Sequence, residues 1–259
     1  MKNAVKYQPQ IDGLRGISVI AVIFYHLNSS WLPGGYLGVD VFFVISGYLI
    51  TSIILVSLAN KNFSILTFYE RRIRRILPSF LFVISLTFLT GCLILPPADL
   101  MNLSASQIAS VLFSSNFYFL RSIAYSSGPT EWVPLLHTWS LSVEEQFYFA
   151  LPIIFLVAGF RSSSKGQVLR KFLLIGFAVL AISFISNIIL VNYSLSFSVP
   201  QFLLPGRFAF FSPFTRAWEF LVGLLLALSS KSLVSKVFFQ LAGSLSVAGL
   251  IFAAWWLDS

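Results

Sequence analysis

The chain has 259 residues, of which 57% are hydrophobic and 10% charged, with a formal net charge of +8. An average soluble domain carries about 25% charged residues, so this chain has too little polar surface to cover itself in water. Its one cysteine, Cys92, excludes an internal disulfide and a cysteine-cluster metal site, and its basic residues lie in short runs between apolar segments, a pattern of membrane topology and not of nucleic-acid binding.

Residues 1–15 read as a polar arm, with Pro9 opposing early helix. Apolar segments of spanning length then recur at about 16–32, 38–59, 79–97, 141–160, 172–191, 214–229 and 237–257. The expected fold is therefore all-α: a polytopic transmembrane helix bundle of about seven spans, one membrane-embedded domain over 1–259 with no soluble domain. Trp31-Leu-Pro-Gly-Gly35 predicts a tight outer turn between the first two spans. Segment 60–78 reads as a basic amphipathic helix that stops near Pro78. Residues 98–140 form the longest outer loop, within which 105–120 reads as a half-helix or re-entrant piece. A short basic inner loop follows at 161–171, and a second outer loop at 192–213 carries Pro200, Pro205 and Pro213. With the N-terminus in the cytoplasm, fourteen Lys/Arg fall inside and only Arg121, Arg207 and Arg216 outside. A cleavable signal peptide over 1–33 is disfavoured, since no small-x-small cleavage site follows its apolar core.

Inside the first apolar segment, Arg15 and His26 stand eleven residues apart. At 100° per residue that is three turns plus about 20°, so they share a helix face over roughly 16 Å of rise. An ionisable group at membrane depth is costly and marks a functional site by default. Imidazole titrates near neutrality, which suits His26 to act as a general base on a hydroxyl; the alternative is a histidine hydrogen-bonded across helices. At the start of the fourth span, Glu144 and Glu145 fall in the expected first helical turn, with Ser140 or Ser142 as cap. Alternating topology puts these acids in the same outer layer as His26, where a carboxylate could stabilise an imidazolium. His137 is a weaker candidate base. The run Arg71-Arg72-Ile73-Arg74-Arg75 either anchors the helix on anionic lipid or cradles phosphates in forked geometry, with Arg15 on the same cytoplasmic side. In the second span Asp40 and Gly47 share a face, and Ser46-Gly47 permits close approach of a helix or a ligand. Arg216 and Glu219, spaced i, i+3, are placed for a buried ion pair.

These pieces resemble the acyltransferase family 3 membrane proteins, which O-acylate bacterial cell-surface polysaccharides, lipopolysaccharide and related glycans. The motifs that carry the resemblance are Ile11-Asp12-Gly13-Leu14-Arg15-Gly16 followed by His26; Phe42-Phe43-Val-Ile-Ser46-Gly47; the Arg71-to-Pro78 run; Trp139-Ser140-Leu141 followed by Glu144-Glu145-Gln146-Phe147-Tyr148; and Arg216-Ala-Trp218-Glu219-Phe220. They occur in order over residues 8–228. The resemblance implies transfer of an acyl group, most often acetyl, from cytoplasmic acyl-CoA (acetyl-CoA) to an acceptor hydroxyl on the far side of the bacterial inner membrane, with no metal. It implies His26 as the essential histidine, assisted by Glu144 or Glu145. Arg15, Arg71, Arg72, Arg74 and Arg75 would hold the CoA phosphates, and Asp12, Asp40, Ser46, Gly47, Trp139, Tyr148, Arg216 and Glu219 would support substrate or structure. The expected partners are membrane lipid and a glycan or lipid-linked sugar, with no nucleic acid.

Members of the family carry about ten spans, and some carry a fused extracytoplasmic hydrolase-like domain. The seven segments here predict a member shortened by about three C-terminal spans. Two other readings stay open on sequence alone: a transporter or flippase of acylated or lipid-linked glycan, and an inactive truncated remnant.

Overall fold

A computed structural model of the chain describes residues 8–122, 133–158, 165–192 and 205–229. Among the described residues there are helices and no strands: α1 (Pro9–Leu27), a 3-10 turn (Pro33–Leu37), α2 (Gly38–Ala59), α3 (Ile65–Ile94), α4 (Pro97–Val111), α5 (Ser115–Ser122), α6 (Thr138–Val157), α7 (Lys165–Asn192), α8 (Pro205–Phe211) and α9 (Pro213–Ser229). The all-α class is as expected. Among the described residues, four stretches are long and apolar enough to cross a membrane: Pro33–Ala59, Ile65–Ile94, Thr138–Val157 and Phe172–Asn192. The pair α8 and α9, bent by 42°, would make a fifth. The seventh expected span, 237–257, lies outside the described residues, as do Lys2, Lys6 and Arg161. The chain packs as two compact units, Met1–Asn60 with Glu219–Ser259, and Lys61–Trp218.

In the first unit small residues let backbones meet. A Cβ on Gly35 or Gly38 would strike the carbonyl oxygen of Ala21 or Ser18, so α1 lies directly against the 3-10 turn and the start of α2. On α2 itself, a Cβ on Gly47 would strike the Phe220 carbonyl, and one on Gly223 would strike the Val44 carbonyl. The two glycines interlock α2 and α9 with no side chain between them. Phe43 and Phe220 stack beside this crossing at 4.6 Å. The expected polar arm ends earlier than proline suggested. Pro9 is the first residue of α1, where its missing N–H costs no hydrogen bond.

In the second unit α3 runs for 30 residues, straight through Pro78. The expected stop there does not occur, because proline removes one intrahelical bond while the apolar stretch beyond it continues to favour helix. Residues 98–140 are not simply an outer loop. In α4 the chain returns along α3: Leu103 meets Gly91, and Gln107 Nε2 donates to the Ile84 carbonyl at 3.1 Å. It turns at Phe113, in the left-handed region at φ 49°, whose ring stacks on Phe80 at 5.7 Å. Phe80 is about 21 Å below the end of α3 by helical rise. The short helix α5 folds back, Tyr118 Oη donating to the Asn102 carbonyl at 3.2 Å. Residues 105–120 thus fall in a helical hairpin, as the re-entrant reading has it. Its break is held by side chains: Gln146 Nε2 donates to the Phe113 carbonyl (2.8 Å) and to Asn116 Oδ1 (2.9 Å), and Asn116 Nδ2 donates to the Phe211 carbonyl (3.1 Å). Non-helical backbone away from water is tolerated only when protein satisfies it in this way.

The second expected loop, 192–213, is likewise part helix. Its last residues form α8, and Thr215 Oγ1 donates to the Ala209 and Ser212 carbonyls across the bend into α9. Ser183 and Asn187 of α7 reach the Phe214 and Thr215 carbonyls.

Candidate active site

His26 lies one residue from the end of α1, where the first helix leaves its last carbonyls without helical donors. Its Nδ1 is 2.8 Å from the Val22 carbonyl oxygen. A carbonyl can only accept, so Nδ1 carries the proton and, in the neutral ring, Nε2 carries the lone pair. The ring stands edge-on to Tyr25 at 5.4 Å and is exposed. Eleven residues earlier, the Arg15 guanidinium stands 5.5 Å from the Phe42 ring centroid. Its Nε is buried and has no hydrogen-bond partner among the described residues. Asp12 is exposed in the first turn of α1, Asp40 is half-buried in the first turn of α2, and Ser46 is wholly buried. Gly47 serves the approach of a helix, α9.

The second unit holds a different centre. Arg72 Nε and Nη2 both donate to Glu145 Oε1, at 2.9 and 2.6 Å, and Nη2 also reaches Glu144 Oε1 at 3.3 Å. The guanidinium lies 3.5 Å from the Tyr148 ring centroid. All three charged side chains are largely shielded, at 14%, 11% and 13% exposure for Arg72, Glu144 and Glu145. One turn further along, Tyr69 Oη donates to the Phe149 carbonyl at 2.6 Å and its ring stacks on Phe149. Residue numbers rise on α6 as they fall on α3, so the two helices are antiparallel here.

This overturns the layer assignment made from sequence. The basic run and Glu144–Glu145 were expected on opposite sides of the membrane; Arg72 of the run and the two acids form one ion cluster. The physical reason is the hairpin. Because α4 carries the chain back along α3, α6 starts beside the break of the hairpin. Thr138 bonds Ser110 and Ser115, at 2.8 and 3.0 Å, deep against the hairpin. The acids are also not in the first turn of α6. That helix starts at Thr138, with His137 as N-cap residue and no side-chain cap; Ser142 instead pairs with Ser115 at 2.8 Å, and Ser140 Oγ donates to the His137 carbonyl.

The other arginines of the run differ from Arg72. Arg74 pairs with Glu70 at 2.8 Å in the open, and Arg71 and Arg75 are exposed. Trp139 is buried against Phe210 and Phe211, with the Arg216 guanidinium 5.7 Å from its centroid; Arg216 Nε donates to the Phe210 carbonyl at 3.3 Å. Glu219 is completely buried. Sequence reasoning missed the hydroxyl track of Ser106, Ser110, Ser115, Thr138 and Ser142. The signal was available in the i, i+4 spacings of Ser106/Ser110 and Thr138/Ser142, which put each pair on one helix face. Among the described residues, no group of three or more His, Cys, Asp or Glu could hold a metal ion.

Comparison with known proteins bears on this geometry. A family described as an acyltransferase domain matches residues 8–259. O-acetyltransferase OatA of Staphylococcus aureus (strain NCTC 8325 / PS 47) is 40% identical over 167 residues, covering 63% of this chain and 28% of that protein. SAS0844 of Staphylococcus aureus (strain MSSA476), provisionally named an O-acetyltransferase, is 34% identical over 225 residues, 86% of this chain and 35% of that protein. The chain therefore spans only about a third of the length of these relatives. No solved structure matches.

Proposed function

Since the chain belongs to the acyltransferase-domain family, we propose that it transfers an acyl group from acyl-CoA to a hydroxyl of a bacterial cell-surface or lipid-linked polysaccharide, such as O-antigen or exopolysaccharide, in the cytoplasmic (inner) membrane. The names of its relatives favour acetyl as the group, and acetyl-CoA is the donor proposed with it. The observation that carries the reading is the His26 tautomer. With Nδ1–H committed to the Val22 carbonyl, Nε2 is the nitrogen that can take a proton.

In the proposed reaction Nε2 accepts the proton of the acceptor hydroxyl as its oxygen attacks the thioester carbonyl carbon. The C–O bond forms, the C–S bond breaks, and the proton passes to the departing thiolate, leaving an O-acyl glycan and free CoA. Arg15, with a buried Nε that lacks a partner among the described residues, supplies a cation for the donor. Glu144 and Glu145, which Arg72 holds in the second unit, are proposed as further acids of the reaction. Asp12, Asp40, Ser46, Trp139, Tyr148, Arg216 and Glu219 support substrate or structure.

The test is transfer of label from radioactive acetyl-CoA to an added glycan acceptor by the purified chain in proteoliposomes. The reading expects acceptor labelling that depends on the chain. Movement of unlabelled glycan across the bilayer with no acetylation would favour a transporter, which has no use for CoA.

A further inference from the structure

Two breaks in the helices of the second unit meet. The turn between α4 and α5 lies beside Phe80, about 21 Å below the end of α3. Just beyond that turn, Asn116 donates to the carbonyl of Phe211, the last residue of α8, where the chain bends by 42° into α9. Broken helices at membrane depth are tolerated where protein packs them or where they line a cavity, and such breaks are where membrane proteins hold polar ligands. Here the meeting point carries arginine. Arg216, in the first turn of α9, donates from Nε to the Phe210 carbonyl at 3.3 Å. Its guanidinium stands 5.2 Å from the Phe210 ring centroid and 5.7 Å from that of Trp139. At 100° per residue Arg207, Phe210 and Phe211 fall within about 100° of one another on α8, so Arg207 lies on the face that packs Trp139. Its Nη1 is buried and has no hydrogen-bond partner among the described residues, nor does a carboxylate of theirs lie within 4 Å. A buried donor left in this way costs stability, so its retention points to a ligand that completes it. The Phe210 ring is 41% exposed, so the cluster is open on one side.

We propose that Arg207 and Arg216, beside the Phe210 ring, bind an anionic group of the acceptor glycan, a sugar carboxylate or a sugar phosphate. That the bound glycan accepts the acyl group rests on the function proposed above; the anion site does not. Guanidinium forks match both oxyanions, and the ring offers the apolar face of a sugar a flat contact. Arg207 and Arg216 are two of the three basic residues expected on the outer side, from which the acceptor comes. A lipid headgroup suits the pair less well, because headgroups lie at the bilayer surface and this cluster lies at the depth of the hairpin turn.

The test titrates saccharides into the full chain in phosphatidylcholine nanodiscs, with no acyl-CoA present. The probes are an oligogalacturonide against the same oligosaccharide with its carboxylates reduced to alcohols, and mannose 6-phosphate against mannose. In at least one pair the parent chain should bind the anionic member tenfold or more tighter, the scale of a charge-assisted contact; the pair that shows it identifies the oxyanion. Arg207→Gln and Arg216→Gln should each remove most of that preference, and Arg121→Gln, at the exposed end of α5, should keep it. Because Arg216 also packs on Trp139, Arg207→Met separates binding from folding. It removes a partnerless nitrogen, so it should melt at or above the parent's temperature and still lose the preference. Equal affinity of the parent for both members of each pair, or a preference that survives Arg207→Met, would overturn the proposal. Phosphatidylglycerol that copurifies with the parent but not with Arg207→Met, without any saccharide preference, would make the pair a lipid site and overturn it too. A preference for the anion without acetyl transfer to the bound saccharide would uphold the anion site and count against the acyl-transfer reading alone.

Discussion

His26 and Arg72 are both ionisable side chains on largely apolar helices, fixed by different means. A single backbone carbonyl holds the His26 ring and leaves one nitrogen available. Arg72 is held by two carboxylates and a ring face, through its Nε and Nη2. The ring contributes by its face, so its hydroxyl is dispensable for that contact. Tyr148→Phe should therefore keep the thermal stability of the detergent-solubilised chain close to the parent's, whereas Tyr148→Leu should lower it by about 1–2 kcal/mol; equal melting of the two variants would rule out the stacking. At this scale the sequence was informative about which residues matter and poor about how they pair. Arg15 and His26 share a face because helical periodicity is local. The partner of Arg72 lies 73 positions away, and no local pattern encodes that meeting.

Helix α2 was legible to its end residues, α6 to within three at each end, and α7 to within one at its end though it starts seven residues earlier than read, because long apolar runs leave the backbone no alternative but to satisfy its own hydrogen bonds. Two misread boundaries share one cause: proline was taken as a stop. Pro9 opens α1 and Pro78 sits within α3. The hairpin of α4 and α5 looked like a loop because its Ser, Asn and Gln residues are polar, yet Ser110, Ser115 and Asn116 bond side chains of α6 in the interior. In a chain with Cys92 replaced by Ala, a cysteine at Ser114 should resist membrane-impermeant maleimide from both sides, while one at exposed Ser30 should label from one side. Ready labelling of Ser114→Cys would restore the outer-loop picture. The glycines give a second contrast. Gly47→Leu or Gly223→Leu must push α2 from α9 and should cost about 1–3 kcal/mol or more, read as loss of folded chain on size exclusion. Gly13→Ala and Gly16→Ala meet open space and should fold as well as the parent or better.

For the whole molecule, composition was enough to give a membrane-type all-α chain, and ordered motifs were enough to give the family. The relative height of the segments was not accessible, since counting basic residues orients spans but does not reveal that a loop turns back into the bundle. The ion cluster of Arg72, Glu144 and Glu145 brings the start of α3 and the acids of α6 to one height. The central claim remains that a neutral His26, acting through Nε2, is the base of an acyl transfer. Its most direct test is the initial rate of acetyl transfer from acetyl-CoA to a glycan acceptor by His26→Ala chain in proteoliposomes, beside the parent chain and at equal folded amount. The account predicts a fall of about 10²–10⁴-fold; a rate equal to the parent's would contradict it.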